Sequence, residues 1–285
     1  MQKQWIIRTV QLLLIVIFAV QGAWAAESRG TDGGKNVTAV NYWRWSTDGN
    51  WSDASKWSTG QVPGPEDTVS IINSGTYTIT VNSDVTIAGL TFGGESDLQT
   101  LSITGGTFSL NGPGTIEGAG VLELKGGTLG GNGTLTIASR MNWTGGTMAG
   151  GGTVAIPSGG LLAISGGDTK YLSWRTINNS GTVAWSDNGN IRGQDGAVFN
   201  NAAGALFDIR CDNSFYRWNN TNPIINNAGV VQKNATTGTT TFEYVTFNNT
   251  GGVTVNSGMI QFTGDSRVTN SASFTAIPGG TIRFA

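Results

Sequence analysis

The sequence predicts an all-β fold: a parallel β-helix, or β-solenoid, with a tryptophan-rich cap at its N-terminal end. Three observations predict it. The chain repeats itself from Leu90 onward, first through Gly-Gly-Thr at Gly105-Gly106-Thr107, Gly126-Gly127-Thr128 and Gly145-Gly146-Thr147. A second marker follows each of these and ends in Thr115, Thr134 and Thr153, which are 19 residues apart. Further on, the marker becomes an apolar residue and two asparagines, at Ile177-Asn178-Asn179, Phe199-Asn200-Asn201, Ile225-Asn226-Asn227 and Phe247-Asn248-Asn249. Those copies are 22, 26 and 22 residues apart, and a glycine follows each pair. Between markers lie apolar stretches of strand length, at 101–103, 121–124, 135–137, 161–164 and 240–242. A fixed period of this length, filled with short strands and glycine turns, marks stacked coils.

The chain opens on a signal-peptide pattern over residues 1–25. Lys3 and Arg8 form the basic start, 10–20 the apolar core, and Ala23-Trp24-Ala25 the small-residue cleavage rule. Cleavage after Ala25 places the mature protein outside the cell or on its surface. It removes two basic residues and no acidic one, so the formal charge of −2 becomes −4. No second apolar run is long enough to span a bilayer, so no membrane span is expected in the mature chain. No basic patch points to nucleic acid. Residues 26–42 are polar and read as a flexible leader.

Residues 43–89 differ in texture. Trp43, Trp45, Trp51 and Trp57 fall within fifteen residues, followed by Val62-Pro63-Gly64 and Glu66-Asp67. Large aromatics bury much apolar area each. An array of coils has open strand edges at its ends, and such edges invite pairing with other chains. These four tryptophans are therefore expected to cap the first coil. The pattern Trp45, Asn50-Trp51, Lys56-Trp57, Val62-Pro63-Gly64, Glu66-Asp67 resembles the opening of the G8-type module. It is also similar to the start of secreted bacterial β-solenoid repeat proteins of the adhesin and autotransporter-passenger kind. The resemblance covers about fifty residues, roughly a fifth of the mature chain. It implies an extracellular, glycan-associated setting, with some relatives linked to polysaccharide turnover. The chain has no histidine, which departs from any histidine-dependent member.

Residues 90–285 are the array of coils, with repeats of about 19–26 residues. Gly-Gly and Asn-Gly steps supply the positive φ of tight corners. Ile177, Phe199, Ile225 and Phe247 are expected to form one interior column, and Val183, Leu206, Val231 and Val253 another. Asn178, Asn200, Asn226 and Asn248 are placed to bond to their copies above and below, as a stacked amide ladder. Only 12% of residues are charged and glycine numbers 44, a composition that also occurs in disordered chains. Here the apolar residues keep register with the turns, which disorder would not require. The last coil echoes 154–164 and ends without a polar cap. That points to a further C-terminal region, or to a partner covering that end.

Chemistry is sparse. No histidine and a single cysteine, Cys211, leave no metal set, no histidine-based catalytic triad and no intrachain disulfide. No cofactor motif is present. Carboxylates remain, since glycoside hydrolysis needs only two. Aligning coils on their glycines sets Arg210 over Asp187 and Lys233 beside Asp208, which reads as opposite-charge contacts on a solvated face. No catalytic residue is assigned. The same alignment puts Trp185 on the outward column beside Asp208. Tyr216, Arg217 and Trp218 lie in the coil of the 26-residue interval, which has to bulge, and such loops carry function. Trp185, Tyr216, Arg217 and Trp218 are therefore the candidate ligand-binding residues, with stacking on sugar rings as the chemistry. The expected role is structural or adhesin-like at a cell surface or matrix, with a polysaccharide or cell-surface glycan as partner. The alternative is a polysaccharide lyase or glycoside hydrolase on the same scaffold.

Overall fold

The structure is a computed structural model that describes residues 40–285. The expected signal peptide and residues 26–39 of the leader lie outside the described residues. The fold is a parallel β-solenoid of about 10 turns built from three sheets. Among the described residues the first sheet has 11 strands, from Val40–Tyr42 to Arg267–Asn270. The second has 11, from Gly49–Asn50 to Ser273–Ala276, and the third has 10, from Val85–Ile87 to Gly280–Phe284. Each turn visits the three sheets in that order, and each strand pairs in parallel with its copies in the turns before and after.

The strands are short because corners come every few residues. Gly106 sits at such a corner with φ 62°, and an added Cβ would collide with the backbone of Ser83 and Asp84 in the turn before. Within strands, side chains alternate between core and surface. Thr153–Ile156 and Leu161–Ile164 both show every second residue buried. The inward residues form one continuous core. An interior gap between Trp143, Phe199, Phe207 and Phe215 measures about 10 Å³. That is about the smallest space that holds a water, and its lining is apolar. The interior there is packed core, so ligands have to meet the solenoid on its outer faces or corners.

Ile177, Phe199, Ile225 and Phe247 form one column, strand over strand, and all four are buried. The second expected column holds Val183, Phe207, Val231 and Val253. Leu206 is not in it. The corner at Gly204, closed by Ala205 N–H donating to the Ala202 carbonyl at 3.0 Å, contains one more residue than the glycine alignment assumes.

Two asparagine ladders run side by side along the first sheet. The outer one is the ladder expected from the sequence. Asn200 donates to Asn178 at 2.7 Å, Asn226 to Asn200 at 2.7 Å and Asn248 to Asn226 at 2.8 Å. The inner one is buried and runs the opposite way. Asn179 donates to Asn201 at 2.8 Å, Asn201 to Asn227 at 2.8 Å and Asn227 to Asn249 at 2.7 Å. Each inner amide also donates to a backbone carbonyl across the corner: Leu206, Val230 and Gly252. One apolar-Asn-Asn triplet thus supplies a core residue, an outer ladder rung and an inner rung.

The Trp-rich segment is part of the stack. Val40–Tyr42 pairs with the strand Thr68–Ile71, and Gly49–Asn50 with Tyr77–Val81. In this first turn the third sheet has no strand, and residues 51–67 fill its place. Trp43, Trp51 and Trp57 are buried and join the same core as the coils. Trp57 lies 4.7 Å from Trp51 and 5.0 Å from Trp43, ring centre to ring centre, and Trp51 lies 5.3 Å from Phe108. Trp45 is not buried with them. It stays half exposed, with the Arg44 guanidinium 5.6 Å from its ring.

Candidate functional site

The outward aromatics gather on the third sheet and on the corner where the chain leaves it for the first sheet. Tyr171, Arg192 and Tyr216 are neighbours on three successive strands, Lys170–Ser173, Ile191–Gln194 and Ser214–Arg217. Leu172, Ile191 and Phe215 alternate with them and fill the core, which turns the three outward. Arg192 Nε donates to the Tyr216 hydroxyl at 2.9 Å. Its guanidinium carbon lies 5.3 Å from the Tyr171 ring, 5.5 Å from Tyr216 and 3.4 Å from Trp218. These distances are those of cation–π contact, which holds the cluster in one arrangement.

The corner itself is unusual. Gly131, Gly150, Trp174 and Asp195 are stacked in register, since Leu129 pairs with Met148, Met148 with Leu172, and Ser173 with Gln194. All four adopt left-handed backbone, with φ of 86°, 84°, 58° and 54°. Glycine takes that conformation freely, whereas a residue with a Cβ is penalised by about 1–2 kcal/mol. The fold tolerates glycine at this corner, yet two successive coils place tryptophan and aspartate there. Strain held where the scaffold does not need it is a mark of function.

Trp174 is 66% exposed, and Trp218, at the same corner two coils on, is 57% exposed. Two strand spacings separate their coils by about 10 Å. Asp195 lies in the coil between. Its Oδ2 accepts from Ser173 Oγ and Gln194 Nε2, both at 2.8 Å, and its Oδ1 accepts from Asn219 Nδ2. Beneath Trp174, Arg175 turns inward and is fully buried. Its Nη1 donates to the Ala149 carbonyl at 2.6 Å, and burial pushes its guanidinium down to about 10. The corner is therefore pinned from inside while Trp174 stays in solvent.

The bulge expected in the 26-residue interval spans 218–223. Arg217 stacks over Tyr244 at 4.3 Å, and its Nη1 donates to Asn222 Oδ1 at 2.9 Å. Pro223 packs against Gly193, whose missing side chain leaves the space. The result is a surface with two exposed indoles, a carboxylate and amides between them, and a guanidinium behind. Indole faces stack on the apolar faces of sugar rings, while carboxylates and amides bond to hydroxyls.

Of the four candidates read from sequence, Tyr216 and Trp218 meet at Arg192, while Arg217 is turned to Tyr244 and Asn222. Trp185 is elsewhere. It is fully buried, pairs with Ile209 rather than Asp208, stacks on Phe207 at 6.4 Å, and donates Nε1–H to the Gly189 carbonyl at 3.1 Å. Trp185 alternates inward with Val183 on its own strand, and the extra corner residue at Gly204 shifts its partner on the next strand by one position, from outward Asp208 to inward Ile209. The same slip undoes the expected charge contacts. Arg210, just beyond the strand Leu206–Ile209, pairs with Asp208 of that strand at 2.6 Å, and Asp208 is covered rather than solvated. Lys233 is buried and donates to the Cys211 carbonyl and Asp212 Oδ1, both at 2.7 Å. Asp187 caps the Gly166 N–H at 2.8 Å.

Tyr171, Trp174, Arg192 and Asp195 were missed by sequence reasoning. The signal was the replacement of a corner glycine by Trp174 and Asp195, which becomes visible only with the register in hand. Among the described residues no three His, Cys, Asp or Glu side chains are grouped to hold a metal ion. No described helix is long and apolar enough to cross a membrane. Comparison with known protein families, curated proteins and solved structures finds no match.

Proposed function

We propose that this chain is an exported, adhesin-like repeat protein that binds a glycan at the corner formed by Trp174, Asp195 and Trp218. The observation that carries this reading is the pair of exposed tryptophans on one corner, one of them held at φ 58°. A saccharide chain lying along the solenoid axis would stack one ring on each indole and bond its hydroxyls to Asp195 and its amide neighbours. Cation–π contact to Arg192 presents Trp218 in a fixed pose, which lowers the ordering cost of binding. The Trp-rich opening, which resembles the G8-type module, supports an extracellular setting. The solenoid then serves as the scaffold that carries the corner at a cell surface or in a matrix.

The test is affinity electrophoresis of the intact protein against a panel of neutral polysaccharides, comparing wild type with Trp174→Ala/Trp218→Ala. Both side chains are exposed, so the double variant should keep the wild-type far-UV circular dichroism. Retardation by at least one polymer is expected, weakened about tenfold or more in the variant. Equal retardation of a folded variant would reject this corner. Release of reducing ends from the bound polymer would replace binding by a hydrolytic reading.

A further inference from the structure

A second face carries a different ligand chemistry. The outer surface of the second sheet has a groove of about 530 Å³ that crosses two coils. Its floor is made of Ala163 and Ala184, neighbours on the strands Leu161–Ile164 and Thr182–Trp185. Ser165 and Ser186, one position beyond those strands, line one side with hydroxyls. Arg140 closes one end and Arg210 the other. Their strands are three spacings apart, about 14 Å along the solenoid axis.

The two arginines are held by the same device. Arg140 Nε donates to Asn142 Oδ1 at 2.7 Å, and Arg210 Nε donates to Asp208 Oδ2 at 2.6 Å, each acceptor two residues away along the chain. The terminal Nη atoms of both have no protein partner among the described residues. A guanidinium tethered through Nε presents its Nη pair as a fixed fork, the geometry that takes a carboxylate. Arg140 has no carboxylate beside it. Glu123, on the strand before, pairs with Asn142 rather than with Arg140 and is bound to Lys125 at 2.6 Å. The chain as a whole is acidic, so bulk charge does not draw polyanions to it.

We infer that this groove is a second binding site, for an acidic oligosaccharide of the uronic-acid type. Its chain would lie along the solenoid axis with carboxylates on Arg140 and Arg210. The small floor lets sugar rings approach the sheet, and the serines match their hydroxyls. A small floor with hydroxyls along one side, between two distant guanidinium forks, favours a carboxylated sugar chain over an acidic peptide. This site is independent of the aromatic corner, which lies between the third sheet and the first.

The experiment is calorimetric titration of the intact protein with polygalacturonate oligomers at low salt. The wild type should bind them, less tightly as salt rises, and should not bind the methyl-esterified oligomers. Arg140→Gln/Arg210→Gln should weaken binding about tenfold or more. Ala184→Trp, an outward change that fills the floor, should abolish it with circular dichroism unchanged. Arg267→Gln, an exposed charge on the first sheet, and Trp174→Ala/Trp218→Ala should both bind as wild type does. Three results would overturn the inference: no binding by the wild type, binding undiminished in folded Arg140→Gln/Arg210→Gln and Ala184→Trp, or equal binding of poly-glutamate.

Discussion

Cys211 shows what a single residue reveals about the interior. It is buried two residues beyond the strand Leu206–Ile209, and burial pushes its thiol up to about 11 from an ordinary 9.0. Between those values the folded chain keeps a proton that the unfolded chain releases. The folded state then binds more protons, so stability falls as pH rises through this window. The guanidinium chloride midpoint of the wild type should decline from pH 9 to 11, and Cys211→Ala should decline less steeply. Tyr77, pushed up to about 12 by burial, adds a slope of the same sign above pH 10 in both proteins, so the difference between them isolates the thiol. Parallel declines would mean that Cys211 titrates as an open thiol. Trp185 makes the complementary point: its type said binding, while its place in the alternation of its strand made it core.

At the level of the element, the two asparagine ladders look alike in sequence and differ in environment. The inner rungs are buried and their side chains carry three bonds each, while the outer rungs are partly solvated. Asn227→Ala strands the Asn201 amide, the Asn249 carbonyl oxygen and the Gly252 carbonyl in a dry corner. Each such group is worth about 1–3 kcal/mol, so a loss of about 2–4 kcal/mol is expected after local relaxation. Asn226→Ala opens onto water and should cost about 1 kcal/mol or less. Denaturant midpoints of the two variants measure the difference directly. Equal midpoints would show that the inner ladder contributes nothing beyond its outer copy.

For the whole solenoid, the decisive feature is how its first turn is closed. Trp43, Trp51 and Trp57 lie where the third sheet has not yet begun, and each buries apolar area worth roughly 2–3 kcal/mol. A chain starting at Thr68 would expose the edges of Thr68–Ile71 and Tyr77–Val81 together with the core beneath the tryptophans. Open parallel edges pair with their like. Such a chain should form end-to-end oligomers or precipitate while keeping β-type circular dichroism, whereas a chain starting at Val40 should stay monodisperse at that end. Size-exclusion chromatography with light scattering separates the two. A soluble monomer starting at Thr68 would show that the tryptophans are not needed as a cover.

The architecture was legible in the amino-acid order because stacking places like residues over like. The strand segments at 101–103, 121–124, 135–137 and 161–164 all fall within observed strands, and the column of Ile177, Phe199, Ile225 and Phe247 is as read. The bulge, at 218–223, was also legible, because a longer interval in a fixed period has to leave the wall, but of the three residues expected on it Tyr216 and Arg217 lie on the strand before it. What the tertiary structure alone decided was corner length. One additional residue near Gly204 matched Trp185 to Ile209 instead of Asp208, replaced Leu206 by Phe207 in the core column and took Arg210 away from Asp187 to Asp208. The corner of Trp174, Asp195 and Trp218, and the groove between Arg140 and Arg210, each draw residues from several coils. Residues some twenty positions apart become neighbours only when every intervening corner is counted correctly, and a side-chain period of two turns each miscount into an exchange of inside for outside.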